Sequence, residues 1–308
     1  MRFLAVGECM IELSGAGEGL WRSGFAGDTF NTAWYLRAMA PAAVEVGYYT
    51  VVGRDPMSDQ MLDFIAGAGI LTDGIRRHPN RVPGLYAIAL RDGERSFTYW
   101  RDTSAARTLA DDPVALEAAF RATDVIYFSG ITLAILDGAA RRRFFDALGA
   151  ARAIGRRVVF DPNLRPRLWA SEEELRAVVT EAAGLSNIVL PSYDDEAAQF
   201  GDESPAATAA RYLAAGAEEV LVKNGGAEMV HGAADRPARP LPALERVAPV
   251  DTTGAGDSFN GGYLAARLLG ATVEEAVVRG HAVAMRVVGH RGALVPFALL
   301  GEGPRAAG

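Results

Sequence analysis

The chain has 308 residues, half of them apolar and 22% charged, which is ordinary globular usage and excludes disorder throughout. With 31 basic against 38 acidic residues the net charge is −7, so a nucleic-acid or membrane-surface protein is not the default reading. Cys9 is the only cysteine, which excludes an intrachain disulfide and a cysteine-built metal site.

Residues 3–6 open the chain as a short apolar strand, and Glu8 cuts the run before it reaches signal-peptide length. No stretch reaches the ~18 uninterrupted apolar residues of a membrane span, so a cytoplasmic chain without membrane contact is expected. Residues 11–25 are Gly-rich and lack helical period. Beyond them, helices are predicted over 33–39, 57–67, 113–122, 139–154, 172–183, 205–215, 257–269 and 273–288. Buried strands are predicted over 44–52, 125–129, 158–161, 188–191 and 220–223. This alternation implies βαβ units, hence an α/β fold with a mainly parallel sheet covered on both faces. Residues 84–101 break the rhythm with two alternating strands, 85–91 and 96–101, joined by Asp92-Gly93-Glu94, a hairpin signal. Segments 11–25 and 84–101 are expected to pair into a small sheet over the main domain, a lid, with a plain edge hairpin as the alternative. With no repeat and no long linker, residues 1–308 read as one domain carrying that insertion.

The chemistry concentrates in Asp251-Thr252-Thr253-Gly254-Ala255-Gly256-Asp257-Ser258-Phe259-Asn260-Gly261-Gly262. Small residues at 254–256 let the backbone approach a ligand, and the following helix start offers unpaired N–H groups and partial positive charge. That is an anion hole suited to a phosphate in transfer. No Gly-x-x-x-x-Gly-Lys-Ser/Thr run exists, and the dinucleotide fingerprint fails because Phe259 fills its third glycine position. Asp257 reads two ways. It accepts a proton from a hydroxyl attacking the phosphorus, or it is a plain helix N-cap.

The run from Asp251 to Phe259 resembles the C-terminal signature of the ribokinase-like (phosphofructokinase-B type) sugar kinases. The resemblance implies a three-layer α/β/α core with a β-sheet lid, and ATP with Mg²⁺. It also implies Asp257 as catalytic base and an anion hole at Gly254, Ala255 and Gly256. A second marker, Ala26-Gly27-Asp28-Thr29-Phe30-Asn31, matches the family's glycine turn with Ala26 in place of the first glycine. By resemblance Gly27 lets the sugar approach, while Asp28 and Asn31 bind its hydroxyls; a simple helix cap is the other reading.

Within the family, several motifs resemble the branch that acts on 2-keto-3-deoxygluconate. They are Gly84-Leu85-Tyr86, Tyr99-Trp100-Arg101-Asp102, Ser129-Gly130-Ile131 and Asp161-Pro162-Asn163-Leu164-Arg165-Pro166-Arg167-Leu168-Trp169. That substrate carries a carboxylate, which a guanidinium matches with paired donors. Arg101 and Arg165 are therefore its expected ligands, with Tyr86 and Tyr99 at the same end of the sugar acid and Ile131 also expected on the substrate. Glu12 stands where many relatives place an acidic sugar ligand.

Asn163, Ser192, Lys223 and Gly225 are expected on the nucleotide, Lys223 being the only lysine in the chain. Ser192-Tyr193-Asp194-Asp195 occupies the place of the family's Asn-x-x-Glu, which leaves Asp195 as a partner of Mg²⁺ through water. Some relatives also hold a monovalent cation such as K⁺ with a loop that here includes Asp251 and Thr253. His281 lies in a region that lines the adenine in relatives. The expected reaction is ATP-dependent phosphorylation of the sugar acid at its terminal hydroxyl. A fructokinase or ribokinase is the nearest rival, and a catalytically silent sugar-binding sensor the rival from another class. Expected partners are a small sugar acid, ATP and a second copy of the chain through the lid.

Overall fold

Side chains of a strand alternate between the two faces of its sheet, and here both faces are apolar. The computed structural model describes residues 1–17, 19–91 and 94–301. Strand β1 (Arg2–Val6) contributes Phe3 and Ala5 to one buried cluster and Leu4 and Val6 to another. The elements that follow are β2 (Met10–Gly17), β3 (Leu20–Ala26), α1 (Asp28–Met39), β4 (Glu45–Val52), α2 (Pro56–Gly67), β5 (Ile75–Arg77), β6 (Leu85–Arg91) and β7 (Glu94–Trp100). Then come α3 (Pro113–Arg121), β8 (Val125–Ser129), α4 (Gly130–Ala134), α5 (Gly138–Ala153), β9 (Arg157–Asp161), α6 (Glu172–Gly184), β10 (Ile188–Val189) and α7 (Tyr193–Phe200). The chain closes with α8 (Pro205–Ala214), β11 (Glu219–Val222), β12 (Val230–Ala233), β13 (Arg236–Pro240), α9 (Ala255–Leu268) and α10 (Val273–Val288).

Nine strands form one sheet in the order β13-β12-β11-β10-β9-β8-β1-β4-β5. From β11 to β5 neighbours run parallel, and β12 and β13 close one edge antiparallel. One face packs on Phe30, Met61, Tyr263 and Val283, from α1, α2, α9 and α10. The other packs on Phe120, Phe144, Val179 and Tyr212, from α3, α5, α6 and α8. The result is the three-layer core. Its helices begin where local chemistry stops competing with the backbone: Asp55, Asp112 and Ser204 cap α2, α3 and α8, each followed by proline in the first turn.

The second sheet has the order β3-β2-β6-β7. Its strands leave the core between β1 and α1 and again between β5 and α3, and β2 pairs with β6 in parallel, Glu12 opposite Tyr86. One face buries Met10, Tyr86 and Ile88 with Ala26 and Ala293. The two segments expected to form a lid thus share one sheet. Its last strand begins at Glu94 rather than 96, and the Asp92-Gly93 turn lies outside the described residues.

The first helix starts at Asp28 and not at residue 33. Thr29, Asn31 and Thr32 are poor helix formers, but Phe30 is fully buried and packing overrides propensity. Elements too short or too polar for a periodicity signal, namely α4, α7, β5, β12 and β13, complete the fold. Among the described residues no helix is long and apolar enough to cross a membrane.

Candidate active site

In an open α/β sheet, ligands bind outside the carboxyl ends of the strands. Here the ends of β1, β8, β9 and β11 meet the first turns of α1 and α9. Gly254 caps α9 with φ 75°, and a Cβ there would lie 2.8 Å from the Ala293 carbonyl oxygen, so only glycine fits. Asp251 pins the approach: its Oδ1 accepts from Thr253 N–H (3.0 Å) and Oγ1 (2.7 Å), and its Oδ2 from Gly292 N–H (2.7 Å). The Ala255 N–H donates to the Thr252 carbonyl at 3.2 Å. Of the amides expected to form the anion hole, that of Ala255 is therefore already engaged. The amides of Gly256 and Asp257, in the first turn of α9, have no backbone acceptor among the described residues.

Asp257 is partly buried and accepts a hydrogen bond from Asn31 Nδ2 at 2.8 Å. Its pKa is pushed up to about 7, first by loss of hydration and then by the charge of Asp28; Asp161 adds to the rise, and Asn31 and Lys223 oppose it. The carboxylate is not a helix cap, since Gly254 holds that position. Gly27 caps α1, and a Cβ there would lie 2.0 Å from the Glu8 carbonyl oxygen. The glycine of this turn is required by close packing against the exit of β1.

Asp28 opens α1, and its Oδ2 accepts from Asn163 Nδ2 at 2.7 Å. Asn163 has φ 36°, a conformation asparagine tolerates, and its N–H donates to Asp161 Oδ1 at 3.1 Å. That turn carries Asn163 to the side of Asp28, so it lines the cleft with Asp257 rather than the nucleotide-side cavity where it was expected. Lys223 is only 7% exposed; its Nζ donates to Asp161 Oδ2 (3.1 Å) and Asn260 Oδ1 (3.2 Å). Asn260 in turn donates to Asp161 Oδ2 (2.6 Å) and the Tyr127 hydroxyl (3.2 Å). The chain's only lysine is a buried, fixed charge.

Two cavities meet at Lys223, Ser192, Thr252, Ala255 and Gly256. The first, of about 340 Å³, also takes in Gly27, Asp28, Asn31, Ile131, Gly254 and Asp257, and reaches Tyr86, Tyr99 and Arg101 of the lid region. The second, of about 330 Å³, runs along Gly225, Phe259, His281, Met285 and Val288. Asp257 belongs to the first and sits one residue from the shared wall.

Arg101 and Glu8 form a buried ion pair, and the Tyr86 hydroxyl donates to Glu12. Glu12 itself lines a separate cavity with Arg22 and Arg291, not the cleft of Asp257. Tyr86 and Tyr99 stack at 5.7 Å between ring centroids. Arg165 lies 3.4 Å from Asp195, whose pKa is raised chiefly by burial. The next residue, Glu196, turns into the core onto Arg211 (2.7 Å) and the Tyr212 hydroxyl (2.8 Å). Sequence reasoning assigned no role to Asp161, Asn260 or Arg167, although all three stand inside the quoted motifs. No group of three or more His, Cys, Asp or Glu among the described residues is placed to hold a metal ion. That suits a hard cation carried by phosphates and water, and Asp195 is one of the carboxylates that line the first cavity.

A three-layer core and a lid thus surround a carboxylate in the first turn of a glycine-capped helix, an arrangement suited to phosphoryl transfer. The chain belongs to the pfkB family of carbohydrate kinases, whose model matches residues 2–298. It is 42% identical to the 2-dehydro-3-deoxygluconokinase of Escherichia coli (strain K12), over 96% of this chain and 97% of that protein. It is 41% identical to the 2-dehydro-3-deoxygluconokinase of Dickeya dadantii (strain 3937), over 95% and 96%. Among solved structures it is similar to a PfkB protein from Polaromonas sp. JS666, with TM-score 0.82, 27% identity and coverage of 94% and 96%.

Proposed function

We propose that the chain is an ATP-dependent 2-dehydro-3-deoxygluconokinase, working as a single kinase domain with an inserted lid. The observation that carries this reading is Asp257, a carboxylate whose pKa lies near 7 where two cavities of substrate size adjoin. The likeness over nearly the full length of 2-dehydro-3-deoxygluconokinases supports the choice of sugar acid.

The sugar acid occupies the cleft of Asp28, Asn31 and Asp257, with its carboxylate end toward Tyr86, Tyr99, Arg101 and Arg165. ATP occupies the neighbouring cavity of Ser192, Lys223, Gly225 and His281, its γ-phosphoryl at the shared wall. As the terminal hydroxyl oxygen bonds to the γ-phosphorus, its proton passes to Asp257, and the bond from phosphorus to the β,γ-bridging oxygen breaks to release ADP. The amides of Gly256 and Asp257 and the ammonium of Lys223 oppose the charge that spreads over the moving phosphoryl group. Asp195 is the residue that would hold Mg²⁺ through water, and the cation would supply neutralisation of the triphosphate charge. Lid strands over the cleft exclude water that would otherwise take the phosphoryl group.

A coupled assay of ATP consumption across sugar acids and neutral sugars tests the reading. Preference for fructose or ribose overturns the substrate, and no ATP consumption with any sugar acid favours a sugar-binding sensor. Potassium compared with choline in the same assay tests the monovalent cation that the family likeness brings to the Asp251 loop. For the outer face of the lid, where Trp21 and Trp100 are half exposed, the occupant we assign is a second copy of the chain. Sedimentation equilibrium with Trp100→Ser reads that assignment.

A further inference from the structure

Four cationic side chains line the sugar cleft: Arg101, Arg165, Arg167 and Lys223. Three of them are paired with carboxylates. Arg101 is held by buried Glu8, Lys223 by Asp161 at 3.1 Å, and Arg165 by Asp195 at 3.4 Å. The same cleft contains four carboxylates, those of Asp28, Asp161, Asp195 and Asp257. An anionic sugar entering it meets little net attraction from charges that are already cancelled at close range. Arg167 differs. Among the described residues it has no ion-pair partner; instead its guanidinium lies over the ring of Tyr99, 4.5 Å from the centroid. Arg167 belongs to the loop that leaves β9, and Tyr99 to lid strand β7. A guanidinium seated over a ring, with no carboxylate on it among the described residues, has N–H donors left for a substrate carboxylate and the planar fork that such a pair needs.

We propose that Arg167 is a further specificity-determining residue, which takes the carboxylate of the sugar acid and, through Tyr99, ties that recognition to the seating of the lid. The inference rests on the sugar-acid reading above. Arg101 and Arg165 supply donors at this end of the cleft; Arg167 supplies the uncompensated charge. Occupancy of its edge by the substrate fixes the guanidinium, and the ring stacked beneath it holds β7 down on the core loop.

The test is steady-state kinetics of the full chain with 2-keto-3-deoxygluconate, comparing the parent with Arg167→Met and Arg167→Lys. Methionine keeps an unbranched stem against the Tyr99 ring and removes the charge; lysine keeps the charge and removes the fork. The Met variant should raise KM for the sugar acid by about 10- to 100-fold, the range of a charge-assisted hydrogen-bonded pair, with a far smaller change in kcat and in KM for ATP. The Lys variant should fall between, and the rise of sugar-acid KM with added salt should flatten in the Met variant. A Met variant with KM within twofold of the parent overturns the inference, as does a loss that strikes kcat and ATP KM equally, which marks a structural role. If the parent does not phosphorylate the sugar acid at all, the substrate reading fails and the inference falls with it; if the parent turns over and only the variants are silent in KM, the inference alone falls.

Discussion

To act as the proposed base Asp257 must be ionised, yet burial and the neighbouring Asp28 charge favour its protonated form, and Asn31 and Lys223 hold part of it ionised. A base poised near neutral pH balances the two demands of its task, being charged in the resting enzyme and basic enough to receive a proton. The sign of the pH dependence follows. Because the folded pKa lies above the ordinary 3.8, the ionised fraction falls as pH drops through about 7, so kcat/KM should show an acid limb with its inflection near that value. Asn31→Ala removes a hydrogen bond that favours the charged form, so the inflection should move to higher pH whatever happens to KM. A limb that stays in place, or moves down, would contradict the assigned contact at 2.8 Å.

At the scale of elements, the site depends on how α9 begins. Gly254→Ala places a side chain at φ 75° and 2.8 Å from the Ala293 carbonyl oxygen, so the first turn must shift or the loop at 293 must yield. A strained αL residue costs about 1–3 kcal/mol, and the shift also displaces the amides of Gly256 and Asp257, the proposed donors to the phosphoryl group. Urea unfolding should show a loss in that range, with kcat falling far more than KM for the sugar; an unchanged midpoint and kcat would contradict the geometry. This element was legible in the sequence because the glycines, the small residue and the acid are contiguous, although Asn31, Gly292 and Ala293, which hold it, are remote in the chain. The capped helices α2, α3 and α8 were legible for the same reason, proline following an Asp or Ser cap. Helix α7 was not, although three acidic residues in its first turn and Gly201 at its left-handed C-cap carried a signal for it. Strand β13, with two arginines and two prolines in five residues, carries none of the period of a buried strand and closes an exposed edge.

For the whole molecule, the mainly parallel sheet followed from alternation of strands and helices and the lid from two segments that break it, but the strand order and the contacts that complete the site did not. Asn31 and Asp257 are 226 residues apart, Lys223 and Asp161 62 apart, and Asp28 and Asn163 135 apart. No local pattern records such pairs; they arise where strand ends converge. The same convergence explains why Asn163 lies beside Asp28 and why Arg101 spends its charge on Glu8. The lid is the less secured part of the fold, since among the described residues its separate buried cluster holds only Met10, Ala26, Tyr86 and Ile88 with Ala293, against the two large clusters of the core. Amides of β6 and β7 should therefore exchange with solvent through openings well below the global unfolding free energy, and the sugar acid with a non-hydrolysable ATP analogue should slow them. Lid amides as protected as those of β1 and β8 in the free protein would contradict that ranking.

Asp257→Asn tests the proposed proton acceptor most directly, because the amide keeps the shape of the carboxylate and cannot take the proton. With sugar-acid affinity measured by calorimetry and turnover by coupled assay, kcat should fall about 10²- to 10⁴-fold while binding persists. Turnover near that of the parent, with the sugar acid still bound, would contradict the mechanism.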